Sequence, residues 1–135
     1  MVEMQIVYEG KLRCNAKHVD SGAKLLTDAP KDNMGNGESF SPTDLVATAL
    51  ATCMLTTMGI AAQRMEIDIT GSRVVVTKEM AATPFRHISR LNSIIHVPTQ
   101  VTAEQRQKLE TAAMTCPVKK SLHPDIQAPV EFKWG

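Results

Sequence analysis

This chain of 135 residues has almost no excess of one charge over the other, few aromatic residues and few cysteines. Its 15 basic and 14 acidic side chains leave a formal net charge of +1, and aromatic residues make up 4% of the sequence. Because binding to polyphosphates draws on an excess of cations, nucleic acid is not expected as the main partner. Three cysteines are an odd and small number for a secreted disulfide framework. The first residues also lack the basic and apolar segments of a secretory signal, so we expect a cytoplasmic protein.

One long stretch, residues 45–62, contains no charged side chain and reaches the length of a membrane span. Alanine and threonine dominate it, which makes it only mildly hydrophobic, and we expect no membrane partner. A helix that is apolar on nearly every side is instead expected to be buried on nearly every side. In so small a chain a sheet can cover one side, and a second subunit is the expected cover for the other.

Motifs for nucleotide, metal and hydrolytic chemistry are missing. Residues 35–40 are rich in glycine and precede a predicted helix, but they lack the third glycine of a dinucleotide fingerprint and the Lys-Ser/Thr pair of a phosphate loop. The four histidines form no metal-ligand spacing with one another or with cysteine. No Gly-x-Ser-x-Gly motif is present. We therefore predict neither a metal nor a cofactor.

Residue patterning predicts three strands, a helix, two strands, a second helix and a final strand. Ser41 caps the first helix, which runs to about Arg64, and Thr102 caps the second, which stops near Pro117. This mixed order predicts a single α+β domain over residues 1–135, with a mainly antiparallel sheet and segregated helices. The predicted strands are residues 4–8, 11–17, 24–27, 67–79, 85–97 and 130–134.

Two of the cysteines lie on the predicted helices. Cys53 is near the middle of the first helix, and Cys116 completes the apolar face of the second at its last turn. Each alone fits a small buried hydrophobic residue. Together they also fit a redox couple, in which peroxide oxidises one thiolate to a sulfenic acid and the second thiol converts it to a disulfide. Since Cys53 lies far from the helix N-terminus, the fold would have to bring a cation to it, and spacing does not choose among the arginines.

Two motifs of this chain resemble the two cysteine motifs of the OsmC/Ohr family. Residues 40–54, Phe-Ser-Pro-Thr-Asp-Leu-Val-Ala-Thr-Ala-Leu-Ala-Thr-Cys-Met, resemble the first, and residues 116–118, Cys-Pro-Val, resemble the second. Residues 8–13, residues 27–30 and the C-terminal strand are similar to the OsmC-like branch. The family comprises osmotically inducible and organic hydroperoxide resistance proteins. The resemblance implies an intertwined homodimer with two long central helices between sheets and with its sites at the subunit interface.

The resemblance also implies roles for individual residues. Cys53 would be the peroxidatic thiol, Cys116 the resolving thiol and Arg13 the activating cation. An organic hydroperoxide would be the substrate, and an external dithiol would restore the pair. Cys14 matches no family position and alternates to the opposite strand face from Arg13, so we assign it to packing.

One family position is changed in this chain. The glutamate that holds the arginine in peroxidase members is replaced by Thr43. Asp44 and Glu38 are the candidates to orient Arg13 in its place. It is equally open from the sequence that neither carboxylate orients Arg13. A loosely held arginine predicts weaker peroxidase activity. The alternative function is therefore a dimer of the same fold that binds an apolar small molecule or senses oxidant through Cys53.

Overall fold

The computed structural model describes all residues 1–135, and the predicted order of elements is confirmed with one short helix added. The strands are β1 (Met4–Gly10), β2 (Arg13–His18), β3 (Lys24–Asp28), β4 (Arg73–Ala81), β5 (His87–Val97) and β6 (Val130–Trp134). The helices are α1 (Pro42–Arg64), α2 (Ala103–Met114) and α3 (Pro117–Ser121), with a 3₁₀ turn at Lys31–Asn33. The α+β class is thereby confirmed. The chain divides into two compact units, Met1–Val46 and Ala47–Gly135, and the single domain stays a prediction.

The first unit contains an antiparallel sheet in the order β1-β2-β3. Residues 10–12 all have positive φ values and form a tight turn, so β2 begins at Arg13 instead of the predicted residue 11. Gly10, which has φ 84°, suits this left-handed turn because it has no side chain to clash. The loop after β3 returns along that strand, where the Asp28 N–H donates to the Phe40 carbonyl oxygen at 3.0 Å. The turn and the returning loop bring Arg13 and the residues after β3 to one end of the sheet.

The second unit contains a sheet in the order β4-β5-β6, with β4 and β5 antiparallel and β5 and β6 parallel. The predicted strand at residues 67–79 begins only at Arg73. Residues 67–72 form turns instead, because the Thr70 N–H donates to the Asp68 carboxylate and the Ser72 N–H to the Ile69 carbonyl oxygen. The fully buried side chains of this unit's core include Leu50, Met54, Met58, Leu91, Ile95 and Leu109.

Helix α1 is covered along one stripe only. Its buried residues recur every three or four positions, whereas Thr52, Thr56 and Ile60 are exposed. The expectation of burial on nearly every side therefore does not hold within one chain. By length and composition the helix could cross a membrane, a test that the core helices of soluble proteins also pass. The buried residues are Ala47, Leu50, Ala51, Met54, Met58 and Ala62.

Candidate active site

The second unit brings the two helix-borne cysteines together. Cys53 lies close enough to Cys116 to raise the pKa of its thiol, and both residues are free thiols. Cys53 is half-buried, near the middle of α1, whereas Cys116 is fully buried. The two thiols are thus adjacent but unequal in their access to solvent, and an incoming molecule can reach Cys53 far more easily than Cys116.

Pro117 determines the backbone at Cys116. A residue before proline is driven out of the helical region, and Cys116 is extended, with φ −64° and ψ 147°. The expectation that Pro117 stops the second helix is met at Thr115, but the proline also occupies the first position of α3. Cys116 therefore caps α3, and its sulfur accepts a hydrogen bond from the Lys119 N–H at 3.4 Å.

The environment of Cys116 favours its neutral form. Burial raises the pKa of the Cys116 thiol, and the hydrogen bond and charge of the neighbouring Cys53 raise this pKa further. The backbone N–H groups of Lys119 and Val118 act in the opposite direction but do not cancel the effect of burial. Cys116 is thus a buried thiol at neutral pH, with a proton available for a hydrogen bond to its partner sulfur.

The first unit contains a separate cluster of charged side chains around Arg13. The guanidinium hydrogen-bonds through Nη2 to Oε2 of Glu38, and its Nε lies 3.9 Å from Oδ1 of Asp28. The two carboxylates differ in burial, since the Asp28 side chain is 2% exposed and that of Glu38 is 59% exposed. Oδ2 of Asp28 also accepts the backbone N–H of Glu38 at 3.1 Å. One arginine is therefore shared by a buried and an exposed carboxylate.

The structure distinguishes the two candidate carboxylates named from the sequence. Glu38 is ion-paired with Arg13. Asp44 caps α1 reciprocally with Ser41: the Ser41 N–H donates to Asp44 Oδ2 at 2.9 Å, and the Asp44 N–H donates to Ser41 Oγ at 3.1 Å. The Thr43 hydroxyl lies 3.2 Å from that of Ser41. The position changed in this chain is thus part of the helix start.

Sequence reasoning did not single out Asp28. The register of the hairpin from β2 to β3 would have indicated it, because Arg13 and Asp28 are directly paired in these strands. The third cysteine, Cys14, is half-buried on β2 opposite Tyr8 and Thr27, and its packing role stays a prediction. No group of three His, Cys, Asp or Glu side chains is arranged to hold a metal ion.

The fold and the paired thiols define an α+β protein with a two-cysteine site. A sequence model of the family described as OsmC-like protein matches residues 35–131. A solved structure from Psychrobacter arcticus, called a candidate osmotic stress induced and detoxification response protein, is 47% identical over 98% of this chain and 96% of that one, with a TM-score of 0.92. This chain therefore belongs to the OsmC/Ohr family.

More distant solved structures share the fold. An organic hydroperoxide resistance protein OsmC from Legionella pneumophila is 16% identical over 98% of this chain and 96% of its own, with a TM-score of 0.78. One from Elizabethkingia anophelis, also called an organic hydroperoxide resistance protein, is 15% identical over 100% of this chain and 96% of its own, with the same TM-score of 0.78. No match was found among curated proteins.

Proposed function

We propose that this protein is a cytoplasmic thiol peroxidase that reduces organic hydroperoxides through Cys53 and Cys116. The observation that carries the proposal is the pair of neighbouring thiols, in which Cys53 is half-buried and Cys116 is fully buried. An accessible thiol can meet a peroxide, and a buried neighbouring thiol can then react only with that first sulfur. The names of the distant relatives, organic hydroperoxide resistance proteins, support the same substrate class.

The reaction divides into three steps. The Cys53 thiolate attacks the terminal oxygen of the hydroperoxide, the O–O bond breaks, and the alkoxide takes up a proton and leaves as the alcohol. Cys116 then loses its proton, and its sulfur attacks the sulfenic sulfur of Cys53, so that a disulfide forms and water leaves. An external dithiol reduces this disulfide by thiol exchange and is itself oxidised to a disulfide.

Arg13 is proposed as the cation that supports the thiolate and the peroxide, a role that rests on the family resemblance. A guanidinium stays charged in a desolvated site and offers several N–H donors, so it can hold a thiolate and a peroxide oxygen together. The side chain forms ion pairs with the carboxylates of Asp28 and Glu38. These two carboxylates are proposed to orient Arg13 in place of the family glutamate.

We further propose that the working form is a homodimer. Thr52, Thr56 and Ile60 leave one side of α1 uncovered within the chain. Met4, Ile6 and Tyr8 form an exposed apolar row on one face of β1. Exposed apolar surfaces of this kind mark association sites, and a second copy would cover both. Sedimentation should show a dimer at micromolar concentration, and a stable monomer would contradict this part of the proposal.

The peroxidase proposal is tested by stopped-flow consumption of cumene hydroperoxide in the presence of a dithiol. The comparison is between the wild type and the variants Cys53→Ser and Cys14→Ser. Cys53→Ser should abolish consumption because the nucleophile is lost, whereas Cys14→Ser, which removes the thiol outside the pair, should keep the wild-type rate. Equal rates in the wild type and in Cys53→Ser would reject the enzymatic function.

A second candidate function is favoured by Thr43, which places a hydroxyl where the resemblance expects a carboxylate. The dimer would then bind an apolar small molecule or sense oxidant through Cys53 without turnover. A sensor would consume one equivalent of peroxide per chain and stop, even with excess dithiol. A peroxidase would continue until the peroxide is exhausted, so the stoichiometry separates the two functions.

A further inference from the structure

Arg13 and Asp28 are fixed beside each other by the backbone. They are directly paired residues of the antiparallel strands β2 and β3, so their side chains project from the same face of the sheet. This pairing places the Nε of Arg13 3.9 Å from Oδ1 of Asp28. In the observed position the guanidinium is therefore within ion-pair distance of this carboxylate.

The Asp28 carboxylate has one oxygen without a hydrogen-bond donor. The side chain is 2% exposed, and Oδ2 accepts the Glu38 N–H, but Oδ1 has no hydrogen-bond partner. A buried carboxylate oxygen without a donor is costly, and such atoms are uncommon in folded proteins. A distance of 3.9 Å is about 1 Å longer than a charge-assisted N–H···O bond, so a small rotation of the guanidinium would satisfy Oδ1.

Glu38 binds the same guanidinium in a different way. Its side chain is 59% exposed and lies in the loop between β3 and α1, and it contacts the outer nitrogen Nη2. Exposed ion pairs contribute little to stability because water competes for both partners. The Glu38 backbone, in contrast, is bonded to the buried Asp28. The Glu38 side chain can therefore leave Arg13 while the loop stays in place.

We infer that Asp28 is the positioning residue of Arg13: its buried carboxylate anchors the Nε edge of the guanidinium, while Glu38 binds the outer edge exchangeably. A hydroperoxide oxygen can then replace Glu38 at Nη2 without releasing the arginine from the strand pair. The catalytic meaning of this inference rests on the proposed function, because that function gives Arg13 its role.

The first test observes the Nε–H proton of Arg13 by NMR, assigned by its loss in Arg13→Lys. Asp28→Asn and Glu38→Gln are matched variants, since each replaces one carboxylate by an amide of the same shape. Asp28→Asn should speed exchange of this proton with solvent about tenfold, because the buried negative charge beside the Nε edge is removed. Glu38→Gln should change it less than about twofold. Equal effects, or a larger effect of Glu38→Gln, would overturn the inference.

The wild type itself provides an internal control that requires no variant to fold. The Arg90 side chain is 41% exposed, close to the 40% of Arg13, and its Nε lies 3.5 Å from Glu79, which is 64% exposed. The two arginines thus differ in the burial of the carboxylate near Nε, and their outer nitrogens bind the Gln127 amide in Arg90 and the Glu38 carboxylate in Arg13. The Arg13 Nε–H should exchange about tenfold more slowly than that of Arg90. Equal exchange rates would count against Asp28 as an anchor.

The second test asks whether Asp28 acts through Arg13. The rate constant for oxidation of Cys53 by cumene hydroperoxide should fall at least about tenfold in Asp28→Asn. In an Arg13→Gln background, Asp28→Asn should have no further effect, because nothing is left to position. An equal loss in both backgrounds would assign Asp28 a merely structural role.

The two tests separate this inference from the proposed function. If the exchange of the Arg13 Nε–H depends on Asp28 but the wild type consumes no hydroperoxide, the anchor exists and the peroxidase proposal fails. If Cys53→Ser abolishes consumption of the hydroperoxide, but the exchange rate of the Arg13 Nε–H is the same in the wild type and in Asp28→Asn, the peroxidase proposal stands and this inference fails.

Discussion

The two compact units of the chain bury different kinds of residue. Every buried apolar side chain lies in residues 47–135, which include Leu91 and Ile95 of β5 and Leu109 of α2. In residues 1–46 the buried side chains are Asp28 and Ser41, both polar, whereas Ile6 and other apolar residues of its sheet are exposed. The second unit thus has a hydrophobic core, and the first buries polar side chains instead.

This difference matches the chemistry proposed for each unit. The resolving thiol needs a dry, closely packed position so that it meets only the first sulfur, and the core of the second unit provides one around Cys116. The arginine needs a fixed anchor with a free outer edge, which a buried carboxylate beside an exposed loop can supply.

The largest expected effect is on the core of the second unit. Leu91→Ala should lower the free energy of unfolding by about 2–5 kcal/mol, because it removes a fully buried side chain and leaves a cavity. Urea denaturation measures this loss. The control Val75→Ala, in the neighbouring strand β4 at a residue that is 49% exposed, should cost less than about 1 kcal/mol. Equal costs at both positions would mean that this sheet has no separate inner face.

The next effect concerns association through the first unit. Ile6→Lys places a charge on the exposed apolar row of β1 and should weaken the dimer by at least about tenfold, or about 1.4 kcal/mol. Gln5→Lys adds the same charge on the opposite face of β1 and should leave association unchanged. Sedimentation equilibrium gives both dissociation constants. If both variants behave alike, the row of Met4, Ile6 and Tyr8 is not the contact surface.

A smaller effect is expected on the pH dependence of disulfide formation. Because burial raises the pKa of Cys116, little thiolate is present at neutral pH, and the thiolate fraction should rise about tenfold per pH unit below that pKa. Oxidation of Cys53 to the neutral sulfenic acid removes the charge that opposes ionisation of Cys116, but the burial remains. The rate of the second step should therefore increase throughout the range from about pH 6 to about pH 8.5.

This rate is measured after rapid oxidation with excess hydroperoxide, by quenching with an alkylating reagent and mass analysis of the disulfide. Cys14→Ser serves as the parent protein so that two thiols remain, and Cys116→Ser should form no disulfide within the chain. A second step whose rate is constant over this pH range would show that thiolate formation at Cys116 does not limit resolution.

Much of the fold was predictable because local patterns decide it. Alternating strands, the capping box of Thr102 and Gln105, and the N-cap at Ser41 predict the elements found, with errors at their ends. The strand expected from residue 67 begins later because Asp68 accepts a local hydrogen bond from the Thr70 N–H and holds the chain in a turn. Side chains that bond to nearby backbone compete with strand pairing, and residue composition alone does not decide between them.

Sequence motifs pointed to the two cysteines and to Glu38, which is paired with Arg13, but not to Asp28. Cys53 and Cys116 stand in motifs that can be read along the chain, whereas Asp28 meets Arg13 only through the register of two strands. Register depends on the turn between the strands and on which faces are buried, and both are set by the whole sheet. Residues far apart in sequence that share a register position are therefore found only in the structure.

The smallest expected effect comes from a second register row, in the sheet of the second unit. Arg73, His96 and Lys133 are paired across β4, β5 and β6. Desolvation lowers the pKa of His96 below its usual value of 6.5, the charges of Arg73 and Lys133 lower it further, and Glu131 raises it. Arg73→Gln and Lys133→Gln should each raise the pKa of His96 by less than about one unit, as observed in an NMR titration. If the pKa of His96 changes in neither variant, the charges of Arg73 and Lys133 do not act on His96.

The same row predicts a weak dependence of stability on pH. Since the pKa of His96 is lower in the folded protein than in the unfolded chain, the unfolded chain binds a proton first as the pH falls below about 6.5. Acidification therefore destabilises the folded protein through His96, and the loss is complete once the pH is below the folded pKa. Arg73→Gln should reduce this loss, and urea denaturation at about pH 7 and about pH 5 measures the difference. An unchanged dependence would show that Arg73 does not act on His96.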